Sequence, residues 1–385
     1  MSSPRAPRSR PSAKPPSGGA DPARRRWLAA TLAAAAAPLA ACGGSGGTPS
    51  PSPSPSPAAT RSWRMGFSPN PPRPTVDAVL KDGDTFSSRS ELCIIHEEPP
   101  WTELLAGTTP DAYLDAERVA LVDYMRGKGL RFMFMGDLND GLDRSKDSPK
   151  LVAAGRSITE PAIQALYRDY MLAVDRKLEP DVMGLVAESN LIRVAAPALY
   201  PAIRKTANDT AAALRAAGSS VQLMASVQVE VAWGHITGVP AGYVGVETDF
   251  ADFPFVQVLG LSSYPYFGWN EPEDLPLDYY TRPLAGRTLP VMVVEGGWAS
   301  AAAGSVTSTP EKQARYFARQ AQLLDAAGAQ AWLQLVFADI DISSVPPPVP
   351  ANLPLFVSVG LTDRDFNPKP ALAAWDTLFA RHWTG

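Results

Sequence analysis

Cysteine and histidine are scarce in this 385-residue chain, with two of the first and three of the second. The histidines are His96, His235 and His382, and none stands in an HxH or HExxH spacing, which argues against a metal centre. Cys93 lies in the apolar run LCII and reads as a small buried residue. If the other cysteine, Cys42, is modified, no pair is left for an intramolecular disulfide. Positive charge is not in excess. The formal net charge is −4 and no basic run occurs after residue 60, so a surface built for nucleic acid is excluded. The alanine-rich run ending at Ala41 is too short for a membrane span, which needs about 20 residues.

Proline and serine dominate the first sixty residues. Residues 1–41 begin basic and pass through Arg24-Arg25-Arg26-Trp27-Leu28 into the alanine run, the layout of a secretory signal. The arginines resemble a twin-arginine export signal, with Trp27 and Ala29 in place of its usual Phe and Lys. Leu39-Ala40-Ala41-Cys42 resembles a bacterial lipobox, which makes Cys42 the lipidated residue. Residues 42–61 include GGSGGTPSPSPSPSPAAT, a Gly/Ser and Ser-Pro tether unable to build a core. The expectation is an exported cell-surface or periplasmic lipoprotein, bound to a membrane through its lipid alone, with a globular domain over 62–385.

Within that domain eight short apolar runs alternate with helical patterns. The runs are 62–69, 91–98, 129–137, 181–189, 221–229, 256–265, 289–297 and 329–337. Helical patterns occupy 110–127, 160–178 with Thr159 as cap and Pro161 in the first turn, 197–217 ending at Gly218, 310–327 with Thr309 as cap and Pro310 first, and 369–382. After strands one, five and six the helices look short or irregular. Alternating strands and helices imply parallel pairing with right-handed crossovers, and eight units imply a single-domain (β/α)8 TIM barrel. Its functional face is the carboxyl end of the strands.

The residues at those ends form an unusual set. Strand one gives Ser68 and Asn70; strand two gives His96, Glu97, Glu98 and Trp101; strand three gives Asp137, Asn139 and Asp140. Strand four gives Glu188, Ser189 and Asn190, and strand five leads to Glu230, Trp233 and His235. Strand six gives Ser263, Tyr264 and Tyr266, strand seven Glu295 and Trp298, and strand eight Trp332, Gln334 and Asp339. Carboxylates and amides suit sugar hydroxyls, and the interleaved aromatics suit sugar faces. Asn190, His96, Trp101, Asp137, Trp233, Tyr266, Trp298 and Trp332 are the candidate substrate-binding residues. Trp332 lies inside a strand and reads equally as core; Asp140, Glu98 and Asp339 read as solvated. Glu188 and Glu295 matter most. Strands four and seven lie on opposite sides of an eight-stranded barrel, so two carboxylates can face each other there, as glycoside hydrolysis requires.

Four segments carry a family resemblance: LVAESN (185–190), LGLSSYPYF (259–267), VMVVEGGW (291–298) and GLTDRDFNPKPALAAW (360–375). They resemble the corresponding segments of the large clan of retaining (β/α)8 glycoside hydrolases, and the arabinogalactan endo-β-1,4-galactanase family is the nearest named member. The resemblance implies Glu188 as acid/base, Glu295 as nucleophile and Tyr264 orienting the nucleophile. It implies a poly- or oligosaccharide substrate with β linkages, no cofactor and a monomer. Where the clan usually has Asn before the acid/base, this chain has Ala187, with Asn190 close by to contact the sugar 2-hydroxyl. No arginine stands near the end of strand two, where His96, Glu97 and Glu98 occur instead.

Two other readings stay open. One is a non-catalytic carbohydrate-binding lipoprotein on the same barrel, favoured by Ala187 and the absent arginine. The other is a metal-dependent hydrolase using His96, Glu97 and His235.

Overall fold

All eight apolar runs form strands, and the strands close into one parallel barrel in chain order. The computed structural model describes residues 59–385 except 237 and 240; the export segment, Cys42 and the tether up to 58 lie outside the described residues. The barrel strands are β1 (Arg64–Phe67), β2 (Leu92–Glu97), β3 (Arg131–Gly136), β4 (Val182–Val186), β5 (Gln222–Gln228), β6 (Val258–Ser263), β7 (Val291–Gly296) and β8 (Ala331–Gln334). β8 pairs back onto β1, with Met65 opposite Trp332, which closes the ring.

The principal helices around it are α1 (Val76–Phe86), α2 (Pro110–Glu117), α3 (Val119–Gly127), α4 (Pro161–Leu178), α5 (Tyr200–Ala216), α6 (Pro310–Ala327) and α7 (Pro370–Phe379). α6 starts as its sequence predicts: Thr309 Oγ1 accepts from the Lys312 N–H and Pro310 takes the first turn. At α4 the cap differs. Glu160, not Thr159, is the extended residue before Pro161, and no side chain caps the helix. The single helix expected over 110–127 is broken at Arg118, whose guanidinium reaches Glu97 at 2.7 Å. α1 after β1 is a regular helix of 11 residues, more than its sequence suggested. After β5 and β6 the chain is irregular, as expected; beyond β6, Pro265 and Pro272 each open a single 3-10 turn and Pro283 is the second residue of another.

Strand alternation divides the core in two. Leu92, Ile94, Met133, Met135, Val182, Met224, Val258, Met292, Val294, Ala331 and Leu333 pack together inside the barrel, and Ala187 joins them. Gly184 leaves room for Met135 there, since a Cβ would stand 2.2 Å from its sulfur. Residues of the other parity face the helices in one larger core. Trp332 is of this second kind. It is fully buried, and its ring packs on Trp63, Phe317 and Trp375 with centroids 4.9 to 5.9 Å apart.

The described chain begins earlier than the sequence boundary at 62. Thr60–Arg61 pairs in parallel with His382–Trp383, which also ends the last helix at Phe379 rather than 382. Arg61, assigned to the tether by composition, is buried and forks onto Glu91 at 2.8 and 2.9 Å. Trp332→Ala is expected to cost ~3–5 kcal/mol of stability, the range for deleting a large buried aromatic. Urea unfolding measures it, and a cost below about 1 kcal/mol would contradict the core assignment.

Candidate active site

Each of the two glutamates is aimed by a break in strand register. Along β7, Val291 to Val293 pair in step with Leu259 to Leu261, and then Glu295 pairs with Ser262, leaving Val294 extra. Along β4, Gly184 pairs with Met224 and Val186 with Ala225, leaving Leu185 extra. Such a bulge bends the strand and re-aims the side chains beyond it. Leu185 and Val186 both join the outer core, so Ala187 faces the barrel interior. Glu188 then adopts a left-handed conformation (φ 49°), which for a residue with a Cβ costs roughly 1–3 kcal/mol. Its N–H donates to Ser226 Oγ at 2.9 Å, which holds the turn. The two glycines after Glu295 are required. At Gly296 (φ 142°) a Cβ would meet the Ser263 carbonyl at 2.0 Å, and at Gly297 (φ 144°) it would meet the Gln334 amide at 2.4 Å.

A chain of alternating charge connects the two carboxylates. Arg144 Nε donates to Glu188 Oε2 at 2.8 Å, and its Nη1 donates to Asp137 Oδ1 at 2.6 Å. Asp137 Oδ2 lies 3.0 Å from His96 Nε2, and His96 Nδ1 lies 3.2 Å from Glu295 Oε2. These last two are ion-pair contacts rather than well-aligned hydrogen bonds, since neither Nε2 nor Oε2 has a partner in good geometry. Tyr264 donates from its hydroxyl to Glu295 Oε1 at 2.7 Å, and Ser262 Oγ stands 2.8 Å from Glu188 Oε1.

Burial and this chain set the protonation states. Burial would push His96 down, but Asp137 and Glu295 raise it to about 10, so it is an imidazolium at neutral pH. Burial would raise Asp137, but Arg144 and His96 hold it well below the usual carboxylate range. Glu295 follows the same logic: burial opposes its charge, and His96, Arg144 and Tyr264 more than offset it, leaving the pKa lowered. Glu188 goes the other way. Burial raises it, Arg144 lowers it, and the nearby Glu295 raises it again, for a net upward shift. The arrangement therefore favours one ionised and one protonated carboxyl group in one space.

Glu188, Glu295, Tyr264, Arg144 and Gln228 line a cleft of about 430 Å³ at the mouth of the barrel. A cavity of about 280 Å³ adjoins it, shares Arg144, Tyr264 and Glu295, and adds Asn70, His96 and Asp137.

No family model matches this chain, and no curated protein does. Solved structures do. An exo-β-1,4-mannosidase from Opitutaceae bacterium strain TAV5 aligns at TM-score 0.58 and 17% identity over 83% of this chain and 59% of its own. This chain thus spans about three fifths of that enzyme's length. A GH5_18 protein from Streptomyces cattleya, solved with GlcNAc, aligns at TM-score 0.57 and 17% identity over 83% of this chain and 80% of that one. Xylanase 10B from Thermotoga maritima aligns at TM-score 0.54 and 15% identity over 83% and 95%. The likeness is one of fold.

The structure brings together Glu188, Glu295, Tyr264, His96 and Asp137 from the sequence-derived set, and it corrects the rest. Asn190 is fully buried: its Nδ2 donates to the Gln228 carbonyl, and its Oδ1 accepts from the N–H groups of Gln228 and Leu191. It ties β4 to β5 and has no exposed surface to offer a sugar. Trp101, Trp298 and Trp332 have no exposed surface, and Trp233 and Tyr266 have 8% and 5%, so no sugar can lie on their faces. Trp298 donates to Ser308, Trp233 stacks on Tyr279, and Tyr266 donates to the Leu355 carbonyl. Asp339, read as solvated, pairs with Lys369 at 2.5 Å. Glu97 of the metal reading is held by Arg118 and Tyr170, and His235 lies flat on Trp269 with centroids 4.1 Å apart. Among the described residues no His/Cys/Asp/Glu group is placed to hold a metal.

Arg144, Ser262 and Ser226 were missed. Arg144 lies in a loop of mixed charge with Asp140, Asp143, Lys146 and Asp147, where one more base reads as a solvated charge. Arg144→Met is expected to cost ~3–5 kcal/mol, because it leaves Asp137 buried without its strongest partner. It should also raise the pKa of Glu188 further; a Glu188 titration that stays in place or moves down would contradict the pairing. For His96 the folded pKa of about 10 exceeds the ordinary 6.5. Its charge therefore stabilises the fold fully below pH 6.5, and that contribution is lost as pH rises through 10. Urea midpoints measured from pH 6.5 to 10 should fall more for the parent than for His96→Gln, and parallel declines would refute the assignment.

Proposed function

We propose that this protein is an exported, lipid-anchored glycosidase that cleaves β-linked glycans with retention, using Glu295 as nucleophile and Glu188 as acid/base. The observation that carries the reading is the pair of carboxyl groups at the ends of β4 and β7, on one cleft and in opposite protonation environments. The solved structures of like fold include a β-1,4-mannosidase, a xylanase and a β-glucosidase, which supports the glycosidase class. Anchoring through Cys42 rests on the lipobox-like sequence and the tether that follows it.

In the first step a Glu295 oxygen forms a bond to the anomeric carbon while the bond to the leaving oxygen breaks. The proton on Glu188 passes to that oxygen. Arg144 does not prevent this, because a protonated carboxyl group still offers its carbonyl oxygen: Oε2 accepts from Arg144 while Oε1 carries the proton. His96 and Tyr264 hold Glu295 charged and oriented before attack. In the second step Glu188, now a carboxylate, takes a proton from water as that water displaces Glu295 and releases the sugar.

A binder without turnover remains the second reading, favoured by Ala187, which presents a methyl group where the clan has an amide. Release of reducing sugar from β-linked polysaccharides and aryl β-glycosides decides between the two. Turnover should vanish in Glu295→Ala with the fold intact, and undiminished turnover in that variant would sink the reading. Glu188→Ala should slow substrates with poor leaving groups by roughly 10²–10⁴-fold, and nitrophenyl glycosides far less. Equal losses on both would remove Glu188 from the acid role.

A further inference from the structure

The outer half of the cleft differs chemically from its floor. The floor holds the charged chain. The walls carry Leu142, Leu191, Ile236, Phe267, Leu355 and Phe356, each partly exposed. Of the polar side chains on the same walls, His235 and Ser305 are exposed, and the others are engaged with the protein. Asn352 Nδ2 donates to the Leu142 carbonyl at 2.9 Å, and Asp143 binds Lys146 at 2.8 Å and Ser145 at 2.5 Å.

The apolar surface also has a direction. Leu191 lies one turn after Glu188, its N–H donating to the Glu188 carbonyl, and Leu142 lies two residues before Arg144, which grips Glu188. Glu188, Leu191, Ile236, Phe267 and Leu355 line the larger cleft and not the adjoining cavity around Glu295, His96 and Asp137, whereas Leu142 and Phe356 line both, so most of the apolar wall shares its space with the acid. Phe356 stands edge-on to Tyr264 with centroids 5.0 Å apart, so the wall begins at the residue that touches Glu295. A sugar ring placed against these walls would lose water from its hydroxyl groups with few partners to replace it. An alkyl chain or aromatic ring gains from the same contact. Clustered exposed apolar side chains around a polar floor are the pattern of a binding site rather than of ordinary surface.

We infer that the leaving-group side of this site takes an apolar aglycone, so that the substrate is a β-glycoside of an alkyl or aryl group rather than an interior unit of a polysaccharide. The inference rests on the glycosidase reading. The test compares octyl, phenyl and methyl β-glycosides with the β-1,4-linked disaccharide, each across gluco, galacto and manno series, below micelle-forming concentrations. For the accepted glycone, kcat/KM for octyl should exceed that for methyl at least about tenfold, the factor supplied by removing roughly two methylenes from water. Leu142→Ser and Ile236→Ser should each lower the octyl-to-methyl ratio several-fold. A disaccharide turned over as well as the octyl glycoside, or a ratio unmoved in both variants, overturns the inference and leaves the glycosidase reading standing. No turnover of any compound overturns the glycosidase reading. Calorimetric binding then decides the subsite: octyl binding tighter than methyl sustains it, and equal binding overturns it.

Discussion

The guanidinium of Arg144 is the contact on which the mouth of the barrel depends. Without it, Asp137, Glu188 and Glu295 would share a buried space with His96 as their only cation. Removing each charge from water costs several kcal/mol, roughly, unless opposite charges and hydrogen bonds surround it. The order Glu188, Arg144, Asp137, His96, Glu295 gives every interior member two neighbours of opposite sign. The ends of the chain are unequal. Glu295 has an imidazolium and a tyrosine hydroxyl, while Glu188 has a guanidinium already committed to Asp137 and a serine that can accept as well as donate. That inequality separates the two carboxyl groups, and with Glu188 neutral the cluster carries two positive and two negative charges. Two glutamates of identical chemistry acquire opposite protonation preferences from their surroundings alone.

The chain of charges can form only because both strands break register. A strand keeping strict alternation would carry Glu295 on the same parity as Val293, toward the helices. The extra residue Val294 turns the carboxylate to the mouth, and two glycines at positive φ then let the chain pass Ser263 and Gln334 without collision. On β4 the bulge and the left-handed Glu188 do the same work, at a conformational cost that the Ser226, Arg144 and Ser262 contacts offset. Strain at Glu188 and charge at Arg144 are parts of one construction.

Much of this was legible in sequence, and the limits have physical causes. Apolar runs bounded by glycine, proline and caps mark strands and helices through local chemistry, so the eight-fold alternation and the start of α6 could be read directly. A carboxylate closing a buried run, as in VMVVEGGW, is costly enough to mark a site. The stacking platforms were misread for a reason that strand position cannot reveal. A tryptophan near a strand end faces either the mouth or the helix layer, and Trp298 and Trp332 face the latter, against Tyr316 and Phe317. Arg144 was invisible because its partners stand 7 and 44 residues away, and only the folded chain brings the three together. Asn190 shows the converse. Its polarity and place two residues after Glu188 suggested a ligand contact, yet the nearest unpaired groups were those of the Gln228 backbone.

The floor of the cleft and the wall that follows β8 are held by largely separate sets of contacts. The floor rests on the ion chain between β2, β3, β4 and β7. The wall around Leu355 and Phe356 follows β8 and is fixed through Lys369, in the closing segment of the chain. Its Nζ donates to Asp339 at 2.5 Å, to Ser300 at 2.9 Å and to the Gly360 carbonyl at 2.9 Å. Gln313 on α6 binds the carbonyls of Trp298, Val359 and Gly360, clamping the loops after β7 and β8 from outside. Tyr264 and its neighbour Tyr266 connect the two regions, the first touching Glu295 and the second donating to the Leu355 carbonyl at 3.0 Å, and Asn352 adds a link to the Arg144 loop through the Leu142 carbonyl at 2.9 Å. A loop fixed in this way can change its apolar side chains without disturbing the carboxylates, because the groups that hold its backbone are not the groups that face the cleft. The charges of the floor and the apolar surface after β8 are therefore set by different residues of one barrel.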